Sequence, residues 1–213
     1  MSVVDGIGLA LAALALIAAA YQLISLFAAH RFFAAPMHLA SGSEGVSLLK
    51  PLHGAEPRLT ENLVTFLAAP HPGQVQMVCG IGDPGDGALP AFEALRAGHP
   101  AADLALSTGP RAPAANAKVG NLLAIMPLAR HDLLILSDSD IAVSPAYLSQ
   151  VLGALEQPGV GAVTCLYAGR GDAGFWSQVD AAIISWSAAP KVMMALMTGI
   201  AAPCMGSTIA LRR

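Results

Sequence analysis

Two aspartates separated by one residue, Asp138 and Asp140, directly follow the apolar run LLILS. Carboxylates at this spacing on one turn can both reach a single hard cation. Mg²⁺ and Mn²⁺ prefer such oxygen ligands and often bridge them to substrate phosphates. In a group-transfer reaction, the cation would neutralise charge that builds up on a departing diphosphate. The motif therefore predicts a divalent-metal site at Asp138 and Asp140, with a solvated acidic turn as the alternative.

Two other polar segments could contact a phosphorylated ligand. Asp83 lies in the turn CGIGDPGDG, where glycines let the backbone approach a ligand and a carboxylate can hydrogen-bond a base or ribose. Asp86 in the same turn could do the same, and an ordinary turn is the alternative. Lys118 and Asn121 lie in NAKVGNL at the start of a predicted helix, where the N-terminus and a lysine suit a phosphate, and a solvated helix start is the alternative.

The segments around these residues alternate between strand and helix patterns. Strands are predicted at 46–52, 75–80, 102–106, 132–137 and 160–167, and helices at 57–69, 88–96, 116–128 and 145–156. This order predicts an α/β fold with a mostly parallel sheet. Ligands of such sheets bind beyond the carboxyl ends of the strands, where Asp83 and Asp138 are expected to lie.

An uncharged N-terminal segment, residues 6–29, predicts a membrane anchor. Twenty-four helical residues rise about 36 Å, enough to cross about 30 Å of hydrocarbon with some tilt. The segment lacks the basic start of a cleaved signal peptide, since Asp5 precedes it and Arg31 follows it. We therefore predict an anchor over 1–32 and a linker over 33–45. The basic residue places the C-terminal side, with the catalytic domain, in the cytoplasm beneath the inner membrane.

The composition excludes several other classes of protein. Of the 213 residues 55% are hydrophobic and 12% are charged, and the net charge of −3 gives no basic field for nucleic acid. The three cysteines form no CxxC pair, which favours a reduced setting. The sequence contains no HExxH metal motif, no GxSxG nucleophile motif and no GxxxxGK[ST] phosphate-binding loop.

One segment differs from the rest, residues 174–200. Five large apolar residues fall near one face of its predicted helix, and Pro190 should break or kink it: Phe175, Trp176, Val179, Ile183 and Trp186. The pattern leaves two interpretations open. The segment is either an ordinary core helix or a surface helix in the membrane interface, where Trp is favoured.

Together these pieces resemble ceramide glucosyltransferases and their bacterial relatives, which include hopanoid-biosynthesis glycosyltransferases. The resemblance covers most of the chain, and its motifs are VSLLKPLHGAEPRLTENL, GDPGD, NAKVGNL and LLILSDSDI. It implies a GT-A fold, of which residues 46–213 would form an incomplete N-terminal part. It also implies inverting transfer of glucose or N-acetylglucosamine from a UDP-sugar to a lipid hydroxyl, with Mg²⁺ or Mn²⁺ as cofactor.

Matched residue by residue, the resemblance implies that the donor is bound by Asp83, Lys118, Asn121 and Asp138. Asp138 matches the family's second acidic residue, and Asp140 completes an Asp-x-Asp metal pair of the kind typical of the bacterial members. The family's third aspartate, its expected general base, and an Arg/Gln-x-x-Arg-Trp motif would follow Arg213. We therefore expect residues 1–213 to bind donor and metal without transferring sugar efficiently.

Two departures from the family pattern affect the substrate. Gly82 replaces a glutamine that is usual before the first Asp, and Ala189 stands where animal ceramide enzymes have histidine. The second departure favours a hopanoid over ceramide as acceptor. Two other functions stay open: an inactive donor-binding paralogue, and a hydrolase of the haloacid dehalogenase type. The hydrolase motif expects Thr or Val where Ala142 stands.

Overall fold

A computed structural model describes residues 3–201 and 203–213, which divide into two units. The first unit contains the chain up to Pro36 together with Leu166–Cys204. The second contains Met37–Cys165 and Met205–Arg213, and thus every residue predicted to bind donor or metal. The domain boundaries expected from the sequence, 1–32, 33–45 and 46–213, stay predictions.

The second unit alternates strands and helices as the sequence pattern predicts. In chain order its elements are β1 (Val46–Leu52), α2 (Leu59–Leu67), β2 (Val75–Ile81), α3 (Leu89–Gly98), β3 (Asp103–Ser107), α4 (Ala117–Ile125), β4 (Leu133–Ser137), α5 (Tyr147–Leu155), β5 (Ala162–Thr164) and β6 (Thr208–Arg212). A short 3₁₀ turn, Met126–Leu128, extends α4.

The six strands form one sheet in the order β3-β2-β1-β4-β6-β5. The first four are parallel, and β6 runs antiparallel to both of its neighbours. The chain moves outward from β1 through β2 to β3 and then returns to place β4 on the other side of β1. This reversal creates a topological switch point between β1 and β4, where the carboxyl ends of strands in open α/β sheets form a ligand crevice.

Apolar side chains cover both faces of the sheet, which explains the unbroken apolar runs of the central strands. Leu48 of β1 packs into a core on one face with Phe66 of α2, whereas its neighbour Leu49 packs on the other face with Leu122 and Ile125 of α4. The alternation follows from the two-residue period of a strand. A helix layer therefore lies on each side of the sheet and fixes its strand ends.

The strand predictions are accurate at the centre of the sheet and poorer at its edge. The predicted strand 46–52 matches β1, and 75–80 and 132–137 match β2 and β4 within one residue at each end. The last predicted strand, 160–167, shortens to β5 with three residues. β6 was not predicted, because it pairs with β4 only after a long excursion of the chain.

Among its described residues, the first unit contains three α-helices: α1 (Val3–Ala34), α6 (Phe175–Ile183) and α7 (Ala189–Thr198). A π-helical turn, Ile184–Ala188, joins α6 to α7, so the helix continues past Pro190 without a break. The N-terminal helix expected from the sequence is confirmed. By length and apolar composition, α1 and the combined helix Phe175–Thr198 could each cross a membrane.

The interpretation of 174–200 as an ordinary core helix is not what the structure shows. None of the residues of α6 is buried. Phe175, Trp176 and Ile183 are exposed instead, and Val179 is partly buried.

Candidate active site

The acidic turn, which we define as Asp138, Ser139 and Asp140, lies at the carboxyl end of β4 beside the switch point. A lysine from the adjacent strand β1 supports it from inside the sheet. The side chain of Lys50 is fully buried, and its Nζ donates hydrogen bonds to the backbone oxygen of Asp138 at 2.9 Å and to Ser137 Oγ at 3.1 Å. Its Nζ also lies 3.3 Å from the centroid of the Phe66 ring. Lys50 thus fixes the backbone from which the carboxylates project.

A third carboxylate, Glu56, approaches the acidic turn from the loop after β1. The buried hydroxyl of Ser139 hydrogen-bonds to the Glu56 carboxylate. Burial raises the pKa of Glu56, and the negative charges of Asp140 and Asp138 raise it further. The Oε2 atom of Glu56 is buried without a hydrogen-bond partner in the described part of the chain. Glu56 and Lys50 therefore hold two consecutive residues of the acidic turn.

Lys118, at the start of α4, faces the acidic turn from the solvent side. Its Nζ lies 2.5 Å from Asp138 Oδ1 and donates to the backbone oxygen of Gly206 at 2.7 Å. Asn116 caps the helix, since its side-chain oxygen accepts hydrogen bonds from the backbone N–H groups of Lys118 and Val119. The structure thus brings together Lys118 and Asp138, two residues that the sequence predicted to bind the donor.

The two aspartates of GDPGD have different environments, which distinguishes between the roles that the sequence left open. Asp83 is exposed, and its Oδ1 accepts only a local hydrogen bond from the backbone of Gly85 at 2.8 Å among the described contacts. The side chain of Asp86 is only 5% exposed. It accepts hydrogen bonds from Gly54 N at 2.6 Å, Ala88 N at 2.9 Å and His53 Nδ1 at 2.6 Å.

Asp86 therefore joins the loop after β1 to the loop after β2. Burial alone would raise the pKa of the Asp86 carboxyl, but the hydrogen bonds from Ala88, Gly54 and His53 outweigh burial and lower it. A carboxylate with three partners has little capacity left for a ligand. Of the two carboxylates, that of Asp83 is the more available to a ligand.

Asn121, predicted from the family resemblance to bind the donor, is buried at the base of the site. Its Nδ2 donates a 2.8 Å hydrogen bond to the backbone oxygen of Gly80 at the end of β2. A Cβ atom on Gly80 would overlap Asn121 Oδ1, so the glycine is required for this close approach. In the structure Asn121 connects α4 to β2, and its contact with a donor stays a prediction.

Three charged residues of the site were missed from the sequence: Lys50, Glu56 and Arg111. Lys50 had a signal, because it is the one charged residue in the apolar strand VSLLKPL. Arg111 lies against the backbone of Gly82, where a Cβ atom would approach its Nε to 2.5 Å. The guanidinium thus occupies space beside Gly82 where the family's usual glutamine side chain would extend. Nothing in its loop, TGPRAPAAN, indicated that position.

The site combines the donor set that a small divalent cation needs with cations that suit a diphosphate. In the described ranges no three Asp, Glu, His or Cys side chains converge as a closed metal cage. Asp138 and Asp140 fit Mg²⁺ or Mn²⁺ nevertheless, because these ions are usually held by one or two carboxylates and complete their shell with water and substrate phosphates. Lys118 adds a positive charge at the same position.

A mostly parallel sheet with an acidic turn at its switch point is the arrangement expected of the GT-A fold. Residues 10–213 match the family model of glycosyl transferase family 21, so the chain belongs to that family. The solved structure of a mannosyltransferase from Pyrobaculum calidifontis, in complex with GDP-mannose and Mn²⁺, is similar to it with a TM-score of 0.57 and 19% identity. The match covers 92% of this chain and 54% of that one.

Two further solved structures match with lower TM-scores. Glucosyl-3-phosphoglycerate synthase from Mycobacterium tuberculosis, with Mn²⁺, UDP and phosphoglyceric acid, has a TM-score of 0.48 at 16% identity over 79% of this chain and 56% of its own. TarS from S. aureus, with UDP-GlcNAc, has a TM-score of 0.47 at 17% identity over 62% and 36%. The chain thus spans about half the length of the mannosyltransferase that it resembles.

Proposed function

We propose that this chain forms the donor-binding part of a membrane-anchored glycosyltransferase that transfers glucose or N-acetylglucosamine from a UDP-sugar to a lipid hydroxyl. The observation that carries the proposal is the acidic turn at the β1/β4 switch point, held from inside by Lys50 and paired with Lys118. A purely solvated turn would not need a fully buried lysine and a buried serine to fix its backbone. Family 21 membership supports the same reaction class.

Each residue has a distinct role in this proposal. Asp138 and Asp140 would hold Mg²⁺ or Mn²⁺, and the bound cation would supply positive charge for the departing UDP. Lys118 pairs with a phosphate oxygen, and Asp83 accepts hydrogen bonds from the uracil or ribose. Arg111 supplies a second cation in the place of the glutamine that Gly82 replaces.

The transfer itself is a displacement at the anomeric carbon. The acceptor oxygen forms a bond to that carbon, the bond to the UDP oxygen breaks, and the acceptor proton moves to a general base. A base must lie within hydrogen-bond reach of the acceptor hydroxyl. None of the roles assigned above supplies it, and by the family resemblance the base is expected beyond Arg213.

The lipid acceptor and the location follow from the anchor. Helix α1 is 32 residues long and has one acidic residue near its start and one basic residue near its end, Asp5 and Arg31. We place it across the inner membrane with the sheet domain in the cytoplasm, as the positive-inside rule favours. A hopanoid is the favoured acceptor and ceramide the alternative, since Ala189 stands where animal ceramide enzymes have histidine.

The cytoplasmic location of the sheet domain is tested with C-terminal fusions of the chain. Fused GFP should fluoresce, and fused alkaline phosphatase should stay inactive.

Family membership argues against one alternative function that the sequence left open. A hydrolase of the haloacid dehalogenase type is not supported, because the chain belongs to a glycosyltransferase family. An inactive paralogue that binds donor without turnover shares the binding site proposed here. It differs from an enzyme only in turnover by the complete protein.

Donor binding is tested directly with the detergent-solubilised chain. Isothermal titration with UDP, UDP-glucose, UDP-N-acetylglucosamine and GDP-mannose, with and without Mn²⁺, should show metal-dependent binding of the uridine ligands. Electron paramagnetic resonance of Mn²⁺ in the presence of UDP reports the metal site without any need for turnover. Asp138→Asn and Asp140→Asn should each weaken Mn²⁺ binding at least tenfold, about 1.4 kcal/mol.

Asp132→Asn is the matched control for these variants. Asp132 is an exposed aspartate that directly precedes β4, at the end of the strand opposite the acidic turn. The control should bind Mn²⁺ and UDP as the unmodified chain does. Equal losses of Mn²⁺ affinity in the Asp132 and Asp138 variants, or UDP binding that does not depend on the metal, would overturn the assignment of the site.

A further inference from the structure

Helix α6 and the π-helical turn that follows it expose a set of large apolar side chains, which we call the aromatic face. The exposed fractions of its members are 68% for Phe175, 78% for Trp176, 56% for Ile183 and 84% for Trp186. Their positions, i, i+1, i+8 and i+11, fall on one side of an α-helix. Soluble domains rarely leave such a continuous apolar surface without a partner.

The opposite side of α6 is already covered by the chain that precedes it. Gly171 lies so close that a Cβ atom on it would approach Gln178 Cα to 2.7 Å, and one on Gly169 would overlap the backbone of Ala181. The backbone N–H of Gly169 also donates a 3.0 Å hydrogen bond to Ser185 Oγ. The small and polar side of the helix is therefore occupied, and the aromatic face is the side left for a partner.

Helix α7 packs on the proposed membrane anchor α1, within the same unit. Ala28 of α1 is buried against Ala189 and Met193 of α7, and Ser25 Oγ contacts Met194 Sδ at 3.6 Å. Ser25 lies about 33 Å along the helix axis from Val3, at a rise of 1.5 Å per residue. That distance is close to the 30 Å thickness of a bilayer core, so the contact falls near one membrane interface if α1 spans the core from its start.

The connections of this segment argue against a second membrane crossing. Thr164 of β5 pairs with Ile209 of β6, so the chain leaves the sheet and returns to it at neighbouring positions. If the helix from Phe175 to Thr198 crossed the bilayer, only residues 199–207 would remain for the return. Nine residues reach about 30 Å only when fully extended. Extended backbone exposed to lipid leaves its polar groups unsatisfied and does not occur in the hydrocarbon region.

We propose that the aromatic face lies flat in the interface of a phospholipid bilayer, at the level of the C-terminal end of α1. The proposal rests on the proposed anchor α1, because α7 contacts α1 near the end that is expected at the membrane interface. Tryptophan is favoured at this depth because its ring is apolar and its N–H can reach water. Residues 166–204 carry two basic and two acidic side chains, Arg170, Lys191, Asp172 and Asp180. Binding should therefore depend on apolar burial and change little with salt or with anionic lipid.

The two tryptophans of the chain, both on the aromatic face, make the proposal measurable. The full 213-residue chain is reconstituted in phosphatidylcholine vesicles that carry bromine near the headgroup end or near the methyl end of one acyl chain. Single-tryptophan variants Trp176→Phe and Trp186→Phe report each position separately, and aqueous acrylamide provides the complementary quencher. Phenylalanine keeps the apolar surface, so both variants should stay folded.

A flat helix should place both tryptophans at the same shallow depth. Bromine near the headgroups should then quench the tryptophan of both variants more than bromine near the methyl ends. Acrylamide should quench both tryptophans less in the vesicles than in denaturant without detergent. A crossing helix would instead separate the two residues by about 15 Å in depth, because they are ten positions apart at a rise of 1.5 Å per residue. Unequal depths would overturn the proposal.

Flotation of the vesicles separates this proposal from the anchor on which it rests. A chain that floats with the vesicles while its tryptophans are quenched only by acrylamide keeps its anchor and overturns the flat helix. Tryptophans shielded from both quenchers mean that protein covers the aromatic face, which also overturns it. A chain that does not float overturns both the anchor and the flat helix.

Discussion

Asp83 and Asp86, three residues apart in one turn, should respond in opposite ways to the same substitution. Asp86→Ala removes the acceptor of two backbone N–H groups, at 2.6 Å from Gly54 and 2.9 Å from Ala88. A hydrogen bond to a charged group contributes about 1.5–3 kcal/mol. The exposed His53 adds about 0–1 kcal/mol, as surface ion pairs do. Because the buried carboxylate also loses its desolvation cost, we expect a net loss of about 3–4 kcal/mol.

A loss of that size is visible in thermal unfolding. For a chain of this length each 1 kcal/mol shifts Tm by roughly 2–4 °C, so Asp86→Ala should lower Tm by roughly 10 °C. Asp83→Ala removes one exposed local bond and should lower Tm by less than about 3 °C. It should weaken UDP binding about tenfold, the effect of one good hydrogen bond to the nucleotide.

The pH dependence gives a second check on Asp86. Its folded-state pKa is lowered, so the stability that it contributes is present above the unfolded value of 3.8 and is lost as pH falls through the folded value. The difference in Tm between the unmodified chain and Asp86→Ala should therefore shrink in acid. A difference that grows in acid, or a Tm for Asp83→Ala as low as that for Asp86→Ala, would refute the division of roles.

Three further substitutions test the supports of the site. Lys50→Met removes the donor to Asp138 O together with a buried amine whose pKa burial lowers, so Tm should change by the equivalent of about 2 kcal/mol or less. Mn²⁺ binding in the presence of UDP should weaken about tenfold, and a large loss of stability with normal metal binding would contradict this. Gly80→Ala should lower stability by about 1–3 kcal/mol because its Cβ overlaps Asn121, whereas Gly98→Ala, with open space around it, serves as the control in the same unfolding assay. Glu56→Gln should raise Tm at neutral pH, because the folded-state pKa of Glu56 is raised and the stability of the unmodified chain therefore falls as pH rises above the unfolded value of 4.5. The gain in Tm should vanish in acid, where the carboxyl is protonated in both states. A gain in Tm that does not depend on pH would exclude the carboxylate as its cause.

The central strands could be predicted from the sequence because they are buried on both faces. Leu48 and Leu49 pack on opposite sides of the sheet, and a strand of this kind appears as an unbroken apolar run between turns. β6 has no such signal. Its residues pair with β4 across a long sequence separation, which is 79 positions for the pair Leu133 and Arg212. Only tertiary pairing identifies it as a strand.

The site was predicted as far as residue type and strand position determine it. Asp83 and Asp138 were expected at the carboxyl ends of the strands, and Lys118 was expected at a helix start beside the donor. The structure places Lys118 and Asp138 in an ion pair. The choice between Asp83 and Asp86 could not be made, because it depends on whether the loop after β1 supplies N–H donors nearby. The burial of Asn121 depends likewise on how closely α4 approaches Gly80. Both are packing distances, which no local pattern contains.

The charge balance of the site has a consequence for the order in which ligands bind. Lys118 pairs with Asp138 at 2.5 Å, so a cation arriving alone must compete with an ammonium for the same carboxylate. A nucleoside diphosphate removes that competition, because its phosphates can accept Lys118 while they also complete the coordination of the metal. Binding of Mn²⁺ and UDP should therefore be mutually favourable, each strengthening the other by the same factor. Lys118→Ala should strengthen Mn²⁺ binding in the absence of UDP and reduce this coupling. Weaker metal binding in that variant without UDP would mean that Lys118 positions Asp138 rather than competing for it.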